Sequence, residues 1–156
     1  VTALFARCRE EGIHTALDTS GYVTGDMPDG LLDVTDLVLL DLKCADEQLH
    51  RELTGVSAEP IHRFARHLSD TGKKMWVRHV LVPGVTDDDA LLEQLARFIS
   101  GLSGVELVEI LPFHTMGEYK WDALGYPYRL RGVAPPSPER VQNAIDIMRR
   151  HGLAVR

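Results

Sequence analysis

The sequence has the composition of an ordinary globular protein and carries a net negative charge. It contains 156 residues, of which 44% are hydrophobic and 26% charged, and its formal net charge is −6. This length suits a single domain over residues 1–156 with its own hydrophobic core. The acidic balance and the lack of a dense Lys/Arg cluster argue against a nucleic-acid partner.

The cysteines and the N-terminus bear on the cellular compartment. No apolar stretch is long enough to span a membrane and no secretory leader is present, so we expect a cytoplasmic protein without a membrane partner. Cys8 and Cys44 lack C-x-x-C spacing, which indicates reduced thiols rather than a disulfide scaffold. The chain begins with Val1, and residues 2–12 already have a helical pattern. We therefore expect a fragment or a processed chain.

The apolar and polar patterns predict alternating helices and strands. In chain order we predict a helix over 2–12, a strand over 13–19, at most a short helix within 25–35, a strand over 36–42, helices over 46–53 and 59–71, a strand over 74–82, a helix over 87–100, a strand over 105–111, a long loop over 114–137, a helix from 137 to about 151, and a short strand over 153–155. This order predicts an α/β fold with a parallel sheet. The sheet is either open and doubly wound or part of a (β/α) barrel.

The strand over 36–42 ends in two charged side chains. Val38, Leu39 and Leu40 form a short apolar run that is typical of a buried strand. Asp41 and Lys43 are two residues apart, so they point to the same face of an extended chain. They form either a simple ion pair at the end of the strand or part of a binding site, because desolvated charges need a partner.

The other predicted strands also end in polar or ionisable residues. Asp18 precedes Thr19 and Ser20, Arg78 lies in the third strand, and His114 follows the fourth. The carboxyl ends of parallel strands lie together, which favours one shared active site. Each residue also has a simpler explanation: a cap for a turn, an ion pair with an acidic neighbour, or a surface histidine.

Four further features bear on function. Strand alternation puts His79 on the face opposite Arg78, so we expect His79 to be structural. The histidines show no zinc spacing, whereas the carboxylates of Asp18 and Asp41 offer a weak indication of a hard cation. No G-x-G-x-x-G, Walker or nucleophile-elbow motif is present. The aromatic residues of the segment 114–137 indicate an ordered, functional loop.

The residues at the strand ends resemble those of a known family. The chain resembles the C-terminal two-thirds of the pyruvate formate-lyase activating enzymes, which are glycyl-radical-enzyme activases of the radical S-adenosylmethionine (SAM) family. The resemblance runs through the whole chain and rests on five blocks: EGIHTALDTSG at 11–21, VTDLVLLDLK at 34–43, KMWVRHVLVPGVTDDD at 73–89, EILPFHTMGEYKW at 109–121 and GVAPPSPERV at 132–141. It implies a partial (β/α) barrel with about four parallel strands in this chain and the N-terminal strands missing.

The resemblance also implies a reaction and its cofactors. In this family a [4Fe-4S] cluster cleaves S-adenosylmethionine reductively, and the resulting 5′-deoxyadenosyl radical abstracts a hydrogen atom from a glycine of a glycyl radical enzyme. The expected partners are pyruvate formate-lyase and an electron donor protein.

The family's functional residues map onto the strand ends. Asp41 and Lys43 match positions that contact the methionyl end of SAM or the substrate peptide, and Arg78 and His114 match active-site positions near both. Lys43, Arg78 and His114 are the expected catalytic residues. Thr19 and Ser20 match cofactor-binding positions. A monovalent cation site is implied at Asp18, Thr19, the Leu39 carbonyl and Asp41.

One part of the family pattern is missing from the sequence. The cluster motif C-x-x-x-C-x-x-C and a Gly-Gly-Glu strand both belong upstream of Val1, and neither Cys8 nor Cys44 has the required spacing. Because three thiolates are needed to hold the cluster, we expect the isolated chain to be inactive. Two alternatives remain: an activase for another glycyl radical enzyme, or a cluster-free module that binds a protein through the 114–137 segment.

Overall fold

The computed structural model describes residues 1–156 and contains eleven helices and strands. In chain order they are α1 (Thr2–Glu10), β1 (Ala16–Thr19), α2 (Asp29–Leu32), β2 (Leu37–Asp41), α3 (Glu47–Thr54), α4 (Glu59–Asp70), β3 (Met75–Leu81), α5 (Asp89–Ser100), β4 (Val105–Pro112), α6 (Glu118–Leu124) and α7 (Pro138–Arg150). The predicted alternation of strands and helices is confirmed.

The four strands form one parallel sheet in the order β1-β2-β3-β4. Each strand pairs with the next one in the sequence, as expected for right-handed βα units. The predicted last strand over 153–155 is reduced to a single parallel bridge between Val155 and Val108. The α/β fold with four parallel strands is thus confirmed, and it is consistent with part of a (β/α) barrel. The outer edge of β1 has no strand partner.

The two faces of the sheet differ in chemistry. Val38, Leu40, Val77 and Val108 are completely buried on the face that packs against the helices. Buried residues of α4, α5 and α7 complete this core, including Phe64, Leu68, Leu92, Leu95, Ile99, Ile147 and Met148. On the opposite face, alternate residues of β2, β3 and β4 are only half-buried, and this face carries the charged side chains.

Side-chain caps fix the starts of three helices. Asp46 accepts a hydrogen bond from the Leu49 amide, and Asp88 accepts hydrogen bonds from the amides of Ala90 and Leu91. Ser137 caps α7, whose first residue is Pro138. The predicted starts of α3 and α5 were therefore one and two residues early, because Asp46, Asp87 and Asp88 precede the helices.

The segment 114–137 is not entirely a loop, contrary to the prediction. It contains α6, which ends at Gly125 in the left-handed conformation and has no buried residue. Arg131, which follows this helix in the sequence, forms ion pairs with Glu118, at 3.1 Å, and with Asp122. The helix has no apolar stripe that periodicity would reveal, because it does not pack on the core.

No helix in the structure combines the length and the apolar character that crossing a membrane requires.

Candidate active site

The end of β2 brings Asp41 and Lys43 together, as alternation predicted. The Lys43 ammonium lies 3.2 Å from Asp41 Oδ2, and both side chains are partly exposed, at 38% and 28%. A pair with this much solvent contact contributes little to stability, at most about 1 kcal/mol. Both groups can therefore exchange their mutual contact for a ligand at small cost.

Arg78 lies at the centre of the charged face. The strand register sets it opposite Asp41 on β2 and opposite Glu109 on β4. Its guanidinium donates a 2.7 Å hydrogen bond to Asp18 Oδ2 from β1, and its Nε lies 3.7 Å from Glu109 Oε2. Arg78 thus joins carboxylates from strands at both edges of the sheet. Its Nε is buried and makes no hydrogen bond, so the nearby Glu109 carboxylate is what compensates its charge.

Glu109 is a member of this network that the sequence analysis did not identify. Its side chain is only 14% exposed and accepts a 2.9 Å hydrogen bond from Arg156 Nε. The Arg156 guanidinium also stacks on the Trp76 ring, 5.1 Å from its centroid. Leu107, Glu109 and Leu111 share one face of β4. The sequence alone did not show that Glu109 lies opposite Arg78, because that depends on the register between β3 and β4.

His79 is buried and structural, as predicted. Its Nδ1 lies 3.0 Å from the carbonyl oxygen of Leu42, the residue between Asp41 and Lys43. Burial lowers the pKa of His79, so the ring is neutral and donates its Nδ1 proton to that carbonyl. His79 therefore fixes the backbone that presents the Asp41–Lys43 pair.

Two cavities open at the carboxyl ends of the strands. One, of about 590 Å³, is lined by Asp41, Arg78 and His114 together with Val80, Leu111, Pro112 and Phe113. Three of the predicted site residues thus surround one cavity, and His114 is exposed at its margin. Lys43 lines a second cavity of about 550 Å³. The two cavities share Val80 and Phe113.

The remaining predicted site residues lie at β1 and β2 without sharing one environment. Thr19 Oγ1 accepts a 3.0 Å hydrogen bond from the Gly21 amide, Ser20 is exposed, and Leu39 is in register with Asp18. The structure contains no group of three or more His, Cys, Asp or Glu side chains suited to a metal ion. The monovalent cation site stays a prediction, and Arg78 holds the Asp18 carboxylate in this structure.

The two cysteines are free thiols in different environments. Cys8 is half-buried on α1, whereas Cys44 is buried just after β2 and donates a 3.4 Å hydrogen bond to the Asp46 carbonyl. Burial, reinforced by the nearby Asp46 carboxylate, raises the pKa of Cys44 to about 11. The Cys44 thiol is consequently protonated at neutral pH and is a poor metal ligand.

Comparison with known proteins defines the class. The radical SAM superfamily profile matches residues 1–98, and the chain belongs to this superfamily. Its similarity to individual enzymes points to a narrower group within this superfamily. The chain is 49% identical over 152 residues to the pyruvate formate-lyase-activating enzyme of Streptococcus mutans, a match that covers 94% of this chain and 58% of that protein.

Two further similarities support the same group. The chain is 43% identical over 150 residues to the pyruvate formate-lyase 1-activating enzyme of Escherichia coli K12, covering 95% of this chain and 61% of that enzyme. A crystal structure of a domain of pyruvate-formate lyase-activating enzyme from Bacteroides vulgatus superposes with a TM-score of 0.82 at 26% identity, covering 99% of this chain and 87% of that domain. The resemblance seen in the sequence is thus confirmed. The chain spans 58% and 61% of the lengths of the two enzymes.

The family implies two cofactors, and the residues of this chain suit only one of them. SAM carries a carboxylate, an ammonium and a sulfonium, and the first cavity offers charges of both signs through Asp41 and Arg78. These residues fit SAM. A [4Fe-4S] cluster needs three thiolates, whereas this chain has two cysteines, one of them a buried, protonated thiol. The residues present do not fit the cluster.

Proposed function

We propose that this chain forms part of a glycyl-radical-enzyme activase whose protein substrate is pyruvate formate-lyase. The observation that carries this proposal is the 49% identity to the Streptococcus mutans enzyme over 94% of the chain. The radical SAM match alone ends at residue 98. The similarity to the activating enzymes therefore extends into β4, α6 and α7, which supports the narrower function.

The proposed reaction removes a hydrogen atom from a glycine of the partner protein, with SAM as the source of a 5′-deoxyadenosyl radical. In this proposal Asp41 binds the SAM ammonium, and the partly exposed Arg78 guanidinium binds a carboxylate or a ribose oxygen. Lys43 and His114 stand at the cavity margins, where they would hold the substrate peptide. Charge-assisted hydrogen bonds of this kind position a ligand strongly when water is excluded.

Two accessory proposals follow from the same family. An electron donor protein is the second expected partner, because radical formation from SAM needs one electron. We place the protein in the cytoplasm, and its free thiols are consistent with a reducing compartment.

The isolated 156-residue chain is expected to hold no cluster and to be inactive. Anaerobic incubation with iron and sulfide should leave the chain without the broad visible absorption of a [4Fe-4S] centre. A stoichiometric cluster on this chain would contradict the cysteine argument, and a Cys8→Ser, Cys44→Ser double variant would then show whether these thiols hold it.

The proposed function is tested by sequencing the gene that encodes the chain and assaying its full product. The reading frame upstream of the Val1 codon is sequenced, and the longest frame is expressed without oxygen and supplied with SAM, a reductant and pyruvate formate-lyase. We expect a C-x-x-x-C-x-x-C motif in frame and a glycyl radical signal in electron paramagnetic resonance. Arg78→Ala should reduce radical yield, whereas Leu4→Ala, at an exposed position on α1, should not.

The same experiment separates the alternatives. A motif without radical formation on pyruvate formate-lyase, but with radical formation on another glycyl radical enzyme, would favour the other activase. A start codon with no cysteine motif would contradict the enzyme proposal and favour the protein-binding module.

A further inference from the structure

The second cavity has a different character from the charged one beside it. Eight of its 13 lining residues are hydrophobic, among them Val82, Val85 and Trp121. Val82 and Phe113 are buried and form its floor, while Trp121 from α6 is 43% exposed at its rim. We call this space the apolar cavity. It lies between the ends of β3 and β4, the end of α3 and the 118–131 segment.

The walls of the apolar cavity are held in place by local contacts. Thr86 accepts a 2.9 Å hydrogen bond from the Val82 amide and donates one of 2.8 Å to the Val80 carbonyl, which fixes the turn after β3. On the opposite side, the Trp121 and Tyr128 rings contact each other with centroids 5.6 Å apart. The hydrogen-bonded wall after β3 is therefore well defined, whereas the α6 wall depends on the contact between the Trp121 and Tyr128 rings.

The apolar cavity adjoins the candidate active site. Val80 and Phe113 line both cavities, and Lys43, on the wall of the apolar one, is paired with Asp41 on the wall of the other. A peptide segment with its reacting residue beside Arg78 and His114 would thus pass the opening of the apolar cavity. Because successive side chains of an extended peptide point to opposite sides, a residue next to the reacting one can face the shared wall formed by Val80 and Phe113.

The proposed function creates a recognition problem that this cavity solves. A glycine offers no side chain, so an enzyme acting on one glycine of a protein must recognise the residues next to it. Polar backbone contacts position a peptide but do not distinguish its sequence. Specificity therefore requires a side-chain pocket adjacent to the reaction cavity, and the apolar cavity is in that position.

We propose, on the basis of the proposed function, that the apolar cavity binds an aliphatic or aromatic side chain next to the reacting glycine of the substrate protein. Trp121, Val85 and Leu53 are the residues that determine this preference. Eight of the 13 lining residues are hydrophobic, which favours a bulky, uncharged occupant, although Lys43, Glu52 and Arg129 also line the cavity.

Equilibrium binding of short peptides to the 156-residue chain tests the inference without any radical chemistry. Three capped hexapeptides of alanine with one central glycine are compared: one with leucine before the glycine, one with leucine after it, and one with alanine at both positions. Dissociation constants come from nuclear magnetic resonance titration. We expect one leucine peptide to bind at least about tenfold more tightly than the alanine peptide, as is usual for a filled hydrophobic pocket.

Two matched variants locate the binding. Trp121→Ala should remove most of the leucine preference, whereas Leu124→Ala, on the same helix at an exposed position outside the cavity, should keep it. Leu53→Asp, which puts a charge on the α3 wall of the cavity, should also abolish the leucine preference. Loss of the preference in Trp121→Ala and Leu53→Asp, but not in Leu124→Ala, would support the proposal.

The remaining outcomes separate this inference from the proposed function. Equal binding of all three peptides, or a leucine preference that survives Trp121→Ala and Leu53→Asp, overturns the pocket assignment and leaves the activase function standing. A failure of all three peptides to bind overturns the pocket as a feature of this chain. The function itself is then decided separately by the glycyl radical assay.

Discussion

Gly21 ends the turn after β1, next to the candidate site, in a conformation that excludes a side chain. Its φ is +70°, and an added Cβ would lie 2.8 Å from Leu40 Cδ1 and 2.9 Å from Phe64 Cδ1. The Gly21→Ala substitution should lower the free energy of unfolding by about 2–4 kcal/mol. Left-handed backbone and overpacking of the core contribute to this loss together. Urea unfolding measures it.

Gly12 is the matched control for that prediction. It has nearly the same φ, +68°, but an added Cβ would meet no atom within 4 Å. Gly12→Ala should therefore cost only the backbone contribution, about 1 kcal/mol. Equal losses in the two variants would show that the contacts with Leu40 and Phe64 relax freely.

His79 makes stability depend on pH in the mildly acidic range. Burial lowers its pKa in the folded protein below the ordinary value of 6.5. As the pH falls below about 6.5, the unfolded chain binds a proton at this ring that the folded chain excludes. Protonation therefore favours unfolding, and the stability present above pH 6.5 is progressively lost below it. Hydrogen bonds from His151 and Arg150 lower the pKa of the Glu93 carboxyl, so this group stays charged in this range.

Urea unfolding between about pH 7 and pH 5 checks this dependence. His79→Gln keeps a hydrogen-bond donor for the Leu42 carbonyl but does not titrate, so its stability should change less with pH. His14→Gln, at an exposed position, should retain the wild-type slope. An unchanged slope in His79→Gln would show that other groups cause the pH dependence.

The positions of the charged residues along the strands were predictable, but their partners were not. The alternation of residues in strands put Asp41 with Lys43 and put His79 opposite Arg78, and both are confirmed. The pairing of Arg78 with Asp18 depends on two strand registers and on a sequence separation of 60 residues. No local pattern encodes such a register. Glu109 was missed for the same reason.

At the scale of elements, α6 is the least supported helix that borders the candidate site. It has no buried residue, and Arg131 supplies its ion pairs from the following turn. Exposed ion pairs stabilise weakly, so α6 should open far more often than α5, which buries four residues. We expect the amide protons of α6 to exchange at least about 100-fold faster than those in the middle of α5.

Hydrogen exchange with mass spectrometry or nuclear magnetic resonance measures this difference. Arg131→Ala should accelerate exchange in α6 further and leave α5 unchanged, while Arg129→Ala, at an exposed neighbour, serves as the control. Protection of α6 equal to that of α5 would mean that the Trp121–Tyr128 contact stabilises it much more than its exposure indicates.

The elements that the sequence predicted well are those with a buried face. Ile61, Phe64, Ala65 and Leu68 are all buried on α4, and Leu92, Leu95 and Ile99 are buried on α5. Their spacing reflects the core directly, so periodicity reveals them. α6 has no such face, and the prolines and glycines elsewhere in the segment 114–137 suggested a loop instead. A surface helix held by neighbouring side chains leaves no periodic signal.

At the scale of the whole molecule, the sheet gathers its charges on one face and its core on the other. Every strand contributes to the core, and the strand ends of β2, β3 and β4 contribute to the two cavities. The parallel order alone predicts this gathering, because all strand ends point the same way. The division into a charged and an apolar cavity depends on α6 and the turn after β3, and was not predictable.

The outer edge of β1 is the feature of the whole molecule with the clearest consequence in solution. β1 pairs only with β2, and Ala16 is exposed in this strand. Unpaired backbone groups of an edge strand readily pair with another chain. We therefore expect the 156-residue chain to self-associate, with a mass that increases with concentration in size-exclusion chromatography with light scattering.

Ala16→Lys should weaken this association, because a charged side chain at a strand edge opposes pairing and two such edges repel each other. Ala123→Lys makes the same change at an exposed position of α6 and should associate like the wild type. A wild-type chain that stays monomeric at every concentration would contradict the prediction. Equal weakening by both variants would instead assign the association to net charge rather than to the β1 edge.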